Sequence, residues 1–339
     1  MENRSNVVEY RFEAGEFQWE IGEGKIVDAW GFNSQVPGPV IKAEKGDTVV
    51  VKVKNNLKEK TSIHWHGVRL DAAMDGTDAV QKLIEPGNEF EYRFIVPDAG
   101  TFWYHSHANE TKQLERGMYG ALIVEDKSDP VTDGEKIFMI DDMKLTSDNK
   151  FTKPGWFFAR WMERHDGREG ETLLINGKED TVININAGQV ERWRFINSSS
   201  ARYFLLHLGG KTFRILASDG GLLEKPVPVT QLLLTPGERA DILAGPFEEG
   251  ETILLESLPY NRMTFLKAKR STFAEIKVGE KKSSAASIPS ALRKIDRLAL
   301  QNAEPGRNIK FSVGPSLKDG MDFKINKGVH INDKPVKVG

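Results

Sequence analysis

The sequence predicts an all-β protein made of tandem β-sandwiches, and three observations carry that prediction. Short runs rich in Val, Ile, Phe and Thr recur about every ten residues, each bounded by Gly, Pro, Asn or Asp, the punctuation of many short strands. Few stretches hold a helical period for more than three turns. One stretch of sequence occurs twice and then begins a third time, so the strands belong to a repeated unit. Short strands of this kind bury their apolar faces by packing sheet on sheet.

In chain order, the first set of expected strands is Thr48–Val53, Ser62–Leu70, Phe90–Val96, Thr101–His107 and Ala121–Glu125. The second set is Lys136–Ile140, Glu191–Ile196, Tyr203–Leu208, Thr212–Ala217, Gln231–Leu234, Ala240–Ala244 and Glu251–Glu256. Each is short, apolar or alternating, and rich in residues that suit a pleated surface.

The repeat sets the domain plan. Phe32-Asn33 opens a stretch running to Gly46-Asp47 and a β-run ending at Asn55-Asn56; Ile175-Asn176-Gly177 opens its match, through Gly188-Gln189 to Ile196-Asn197. Pro86-Gly87 precedes Gly100, and Pro236-Gly237 precedes Gly250, with the same spacing. A third copy of the opening phrase, Ile331-Asn332-Asp333-Lys334-Pro335, stands near Gly339. Lys281–Ser287 has linker composition, and Ser290–Leu300 is expected to form a short helix. The expected units are therefore 1–127, 128–278, and a linker with the start of a third unit over 279–339.

Composition removes several function classes. Lys+Arg 47 against Asp+Glu 49 gives a net charge of −2, so no basic field exists for nucleic acid or anionic lipid. No run approaches the roughly 18 apolar residues of a membrane span, and the polar start Met1–Ser5 lacks the apolar stretch of a leader peptide. The compartment is left open. There is no cysteine, which removes disulfides, zinc-thiolate and iron–sulfur sites, cysteine nucleophiles and any copper site built on a thiolate.

Four of the seven histidines fall in two His-x-His pairs, His64-Trp65-His66 and His105-Ser106-His107. A strand has a side-chain period of two, so both imidazoles of a pair face one side. Two neighbouring strands can then bring four imidazoles to one place, and neutral imidazole suits copper, zinc, nickel and iron. The competing reading is a pair of solvent-facing or core-satisfied strands. Two pairs, each preceded by apolar β-sequence, favour metal binding.

These motifs carry a family resemblance. His64-Trp65-His66-Gly67, Met74-Asp75-Gly76, Ile84-Glu85-Pro86-Gly87, Gly100–His107 and Gly117–Val124 resemble the first cupredoxin domain of the laccase-like multicopper oxidases. Leu174–Gly177, Arg194–Asn197, Ser218-Asp219-Gly220 and Pro236-Gly237-Glu238-Arg239 resemble the second. The likeness runs over about residues 25–265 and implies cupredoxin-like Greek-key sandwiches, two complete and a partial third. It implies copper: His64 on a type 2 ion, and His66, His105 and His107 on a type 3 pair. Asp75 matches an acidic residue kept near that cluster for proton delivery; an ordinary Asp-Gly turn is the other reading of it. Trp65, Trp103 and Tyr104 are expected to pack around the ligands.

The second unit is an internal control. Asn176 plus the Asn33-to-His64 offset lands on His207, but the partner position is Gly209, and the place of His105 falls at Leu255, followed by Glu256. That unit reads as a structural spacer, with His207 a core or interface residue and His165 in solvent. The remaining ligand motifs of three-domain members would fall past Gly339, and the type 1 copper, which needs a thiolate, has no ligand here. The resemblance implies oxidation of phenolic or other small reducing substrates coupled to reduction of dioxygen to water. This chain alone is expected to be nearly inactive. The alternatives are a non-catalytic copper or zinc module, or a chain completed in trans by a third cupredoxin domain or another subunit. Members of the family are commonly periplasmic or secreted.

Overall fold

A computed structural model describes residues 6–152, 157–262, 269–286, 288–296, 310–316 and 320–325. The first sandwich comprises β1 (Val7–Gly22), β2 (Lys25–Phe32), β3 (Ile41–Glu44), β4 (Thr48–Asn55), β5 (His64–His66), β6 (Glu89–Ile95), β7 (Gly100–His105) and β8 (Tyr119–Glu125), with a short helix α1 (Glu110–Glu115) between β7 and β8. Its two sheets run β2-β1-β4-β6 and β3-β8-β7-β5. Between them lies a core that includes Phe12, Phe32, Val49, Val51, Trp65, Tyr92, Phe94 and Tyr104.

The second sandwich repeats this plan. It comprises β9 (Gly134–Met143), helix α2 (Phe157–Asp166), β10 (Thr172–Ile175), β11 (Thr181–Ala187), β12 (Glu191–Asn197), β13 (Phe204–Leu208), β14 (Phe213–Ser218), β15 (Gly221–Val229), β16 (Gln231–Leu234), β17 (Arg239–Ala244), β18 (Thr252–Leu258) and β19 (Ser271–Lys281). Its sheets run β10-β9-β12-β17-β14-β15 and β11-β19-β18-β13-β16. The pairings of β1 with β4 and of β3 with β8 are parallel, and so are their counterparts, β9 with β12 and β11 with β19. The duplication read from the sequence is thus a duplication of strand order and direction. Beyond it, β20 (Phe311–Ser316) and β21 (Gly320–Ile325) form an antiparallel hairpin; the third opening phrase lies outside the described residues.

The two sandwiches meet across an apolar cluster. Val36, Trp103, Tyr119, Ala121 and Ile123 of the first pack with Met139, Met143, Leu174 and Ile196 of the second. Strand β7 is therefore buried on both sides, which explains its unbroken apolar run. Its Phe102 and Tyr104 enter the first core, while Trp103 turns toward the second sandwich.

Four expectations need correction. The run expected over Ser62–Leu70 narrows to His64–His66, because Gly67 takes φ +88° and Val68 N–H closes a turn onto the Trp65 carbonyl at 3.1 Å. The strand expected over Thr101–His107 ends at His105, where the Ser106 N–H crosses to the Met118 carbonyl. Residues 290–296 form no helix, and the rest of that expected helix, 297–300, lies outside the described residues. The Leu292 N–H goes to the Glu224 carbonyl at 2.9 Å and its side chain covers Val190, Leu216 and Leu243, which no isolated short helix could match. His165 is half-buried on α2, stacked on Trp161 one turn away with centroids 5.2 Å apart.

Candidate metal centre

Strand pairing assembles the site. His64 is the register partner of His105 and His66 that of Trp103 across β5 and β7, with Trp65 opposite Tyr104. Register partners share a face, so His64, His66, Trp103 and His105 all point toward the second sandwich. Trp65 and Tyr104 point the other way into the first core. Of the three aromatics expected around the imidazoles, only Trp103 is there: it stacks on His66 at 4.9 Å and on His105 at 4.4 Å.

One ligand atom from each of His64, His66 and His105 lies within 4.8 Å of the others. Nδ1 of His66 is 3.4 Å from Nε2 of His105. His107, two residues beyond the ladder, flanks this trio with its ring 5.5 Å from that of His64 and 6.2 Å from that of His105. All four predicted histidines therefore converge, three tightly and the fourth at the rim.

Neighbouring carbonyls set which nitrogen each ring has to offer. His64 Nδ1–H donates to the Asp75 carbonyl at 2.9 Å, and His105 Nδ1–H donates to the Ser106 carbonyl at 3.0 Å. Each leaves Nε2 with a free lone pair, the arrangement typical of an oriented metal ligand. Burial, together with the neighbouring histidines, drives His105 down to about 3; it outweighs the Ser106 carbonyl. Burial first, then Arg239 and His64, lower His66 to about 4. Both rings are thus neutral near pH 7, the form that binds a metal.

Asp75 sits in a turn, one of the two readings the sequence allowed. It ends a short 3₁₀ turn, Ala72–Met74, that Asp71 caps by accepting from the Ala73 N–H. Its carboxylate also stands 3.2 Å from His64 Nδ1. The turn sits hard on β5: a Cβ at Gly76 would lie 2.0 Å from the Ile63 carbonyl oxygen. Gln81 fastens it, accepting from the Gly76 N–H and donating to Tyr92 Oη, which in turn accepts from the Ile63 N–H.

Sequence reasoning missed Glu110. Its carboxylate is 3.7 Å from His105 Nδ1 and 4.0 Å from His107 Nε2. The available signal was its place three residues after His107 at the start of α1. Sequence reasoning also left no role for the second sandwich, yet the Gly237 backbone lies against the His66 ring and Arg239 against Gly67.

In the second sandwich the same ladder position is taken by a histidine and a carboxylate. His207 is the register partner of Glu256 across β13 and β18, one residue on from the position the spacing indicated. Its Nδ1 lies 3.5 Å from the Glu256 carboxylate, which Arg270 also engages at 2.6 Å.

A donor set of imidazoles with fixed tautomers and outward lone pairs fits copper, and fits zinc as well. Comparison with known proteins narrows the choice. Residues 13–129 and 142–248 match two family models, each described as multicopper oxidase. The chain is 34% identical over 239 residues to multicopper oxidase mco of Staphylococcus aureus, covering 69% of this chain and 52% of that protein. It is similar to the crystal structure of a multicopper oxidase from Pseudomonas thermotolerans, with TM-score 0.77 and 28% identity over 91% of this chain and 72% of that one. It is also similar to the crystal structure of Lac15 from a marine microbial metagenome, with TM-score 0.71 and 31% identity over 86% of this chain and 72% of that one. The chain spans 52% to 62% of the length of the first curated relatives it matches.

Proposed function

Because this chain belongs to the multicopper oxidase family, we propose that its four convergent imidazoles are copper ligands and that it serves a laccase-like oxidation. The observation that carries this reading is the convergence of His64, His66 and His105 on one face, with His107 beside them. In this reading His64 holds a type 2 copper, and His66, His105 and His107 hold their share of a type 3 pair. Bound copper supplies one-electron steps and an open position for dioxygen, which the complete reaction takes to water at the expense of a phenolic or other small reductant.

The chain's own residues orient, exclude and relay. The Asp75 and Ser106 carbonyls hold His64 and His105 with Nε2 outward. Trp103 fills the space behind the rings and keeps water from that side. Asp75, half-exposed beside His64, is placed to pass a proton between solvent and the site.

These 339 residues contain no cysteine, so they cannot form the thiolate-bound copper through which such enzymes take electrons. A second reading is a copper- or zinc-binding module, or a polypeptide completed in trans by another cupredoxin domain. The units 1–127, 128–278 and 279–339 are proposed as its domains.

Copper titration of the purified chain with electron paramagnetic resonance tests the assignment. The expected result is bound copper with no intense blue absorption, and little or no phenol oxidation. Replacing His64 and His105 together should abolish the binding. Unchanged metal content in that variant overturns the ligand assignment, and rapid phenol oxidation with four-electron oxygen consumption overturns the account of electron entry.

A further inference from the structure

The second sandwich holds no imidazole cluster among its described residues, yet one of its turns reaches the metal face. A Cβ placed on Gly237 would lie 3.0 Å from Cε1 and 3.3 Å from Nε2 of His66. The outer edge of that ring is therefore closed by backbone of the other sandwich, and Trp103 covers its flat side. Its Nδ1 turns inward and makes the 3.4 Å contact with His105 Nε2.

Arg239, two residues on, locks the same region. Its Nε donates to the Thr101 carbonyl on β7 at 3.1 Å, and its terminal nitrogens to the carbonyls of Gly237 and Asp219 at 3.2 and 3.3 Å. A Cβ at Gly67, next to His66, would meet the guanidinium at 2.3 Å. The turn itself is anchored, since Gly237 N–H donates to the Asn197 carbonyl and Glu238 accepts from the Thr235 N–H. One loop thus touches the tip of the His66 ring, the peptide after it and the strand beside it.

We infer that Gly237 and Arg239 are positioning residues for His66, holding its ring in place against His105 on the metal face. The second sandwich is then a working part of the metal centre. An imidazole on an open strand could swing between rotamers; a backbone turn against one edge removes that freedom before any ion arrives. The inference rests on the copper reading for its purpose, but not for its geometry.

The repeat supplies a matched control. Gly87 holds the corresponding Pro-Gly turn of the first sandwich at φ +78°, close to the +81° of Gly237, and a Cβ there would meet nothing within 4 Å. Gly87→Ala and Gly237→Ala therefore carry similar backbone strain, and only the second presses on His66. In the apoprotein, Gly237→Ala should displace the His66 ring resonances in ¹H–¹⁵N spectra and weaken the ring's cross-relaxation with the α-proton at position 237. Its affinity for Cu²⁺ should fall by about tenfold or more, while Gly87→Ala leaves both readouts unchanged. Arg239→Lys keeps the charge, loses the fork and should move the same resonances; it carries the test if Gly237→Ala does not fold. Equal behaviour of the Gly87 and Gly237 variants in both readouts, or His66 resonances that ignore Gly237→Ala and Arg239→Lys, overturns the inference. Absence of Cu²⁺ binding by the parent chain would instead overturn the copper reading, with the ring resonances still deciding the positioning.

Discussion

Thr101 Oγ1 donates a 2.6 Å hydrogen bond to Asp241 Oδ1, tying β7, the strand that bears His105, to β17 of the second sandwich. Asp241 is fully buried, and its other oxygen accepts from Arg192 at 2.6 Å and Arg194 at 3.0 Å. Asp241→Asn keeps the shape, removes the charge and strands two guanidinium groups. The expected loss is about 3–5 kcal/mol of stability, measured by urea unfolding at neutral pH. A loss under about 1 kcal/mol would mean that the arginines are balanced by Asp129 and Glu135 alone.

Tyr104 separates fold from site. Its hydroxyl donates to the Pro39 carbonyl at 2.7 Å inside the first core, on the face away from the imidazoles. Tyr104→Phe should cost about 1–2 kcal/mol by leaving that carbonyl unpaired, while Cu²⁺ stoichiometry stays the same. Copper loss that exceeds the fraction unfolded would contradict the two-faced reading of β7.

The Asp75 main chain and side chain have different tasks. Asp75→Asn should preserve copper content, because the carbonyl rather than the carboxylate holds the His64 tautomer. Gly76→Ala should lower it, because the added Cβ collides with the Ile63 carbonyl and lifts the turn off β5. Metal analysis of the two variants after dialysis distinguishes them, and equal retention would count against the turn's role.

Glu115 gives the sandwich interface a pH dependence. Burial raises its carboxyl to about 7 despite Arg168, and nearby Asp142 and Glu163 add to the rise. The folded chain thus binds more protons here than the unfolded chain between the ordinary carboxyl value and about 7. This group's contribution to stability is complete below that window and is lost as pH rises through it. Relative to the parent, Glu115→Gln should gain stability as pH rises from 5 to about 8. Urea midpoints at both pH values check the sign, and a difference independent of pH would refute it.

Much of this architecture was legible because its signals are local or periodic. The His-x-His spacing placed His64, His66 and His105 on a shared face, with His107 beyond the strand end, and the repeated Asn, Pro-Gly and Gly positions disclosed two equivalent sandwiches. What stayed hidden depends on who lies opposite. β1 alternates apolar residues with glutamates and arginine over sixteen residues, half-buried, and shows no compact apolar run. Trp65 and Tyr104 share the motif with the ligands, but pleating sends them to the opposite face. Glu110, Gly237 and Arg239 reach the imidazoles only through a helix start and a neighbouring sandwich, contacts that the strand period does not disclose.

Gly209, the counterpart of His66 in the second sandwich, lies just past the end of β13 with φ +53°, and a Cβ there would press on Ile253 at 3.1 Å. That left-handed conformation is uncommon for a residue with a side chain, and the contact with Ile253 adds to its cost. Restoring a ligand pair to this copy would therefore take a rebuilt turn, whereas exchanging Glu256 is a matter of one side chain. The division of labour between the duplicates is written into the backbone, so drift at the surface cannot easily undo it.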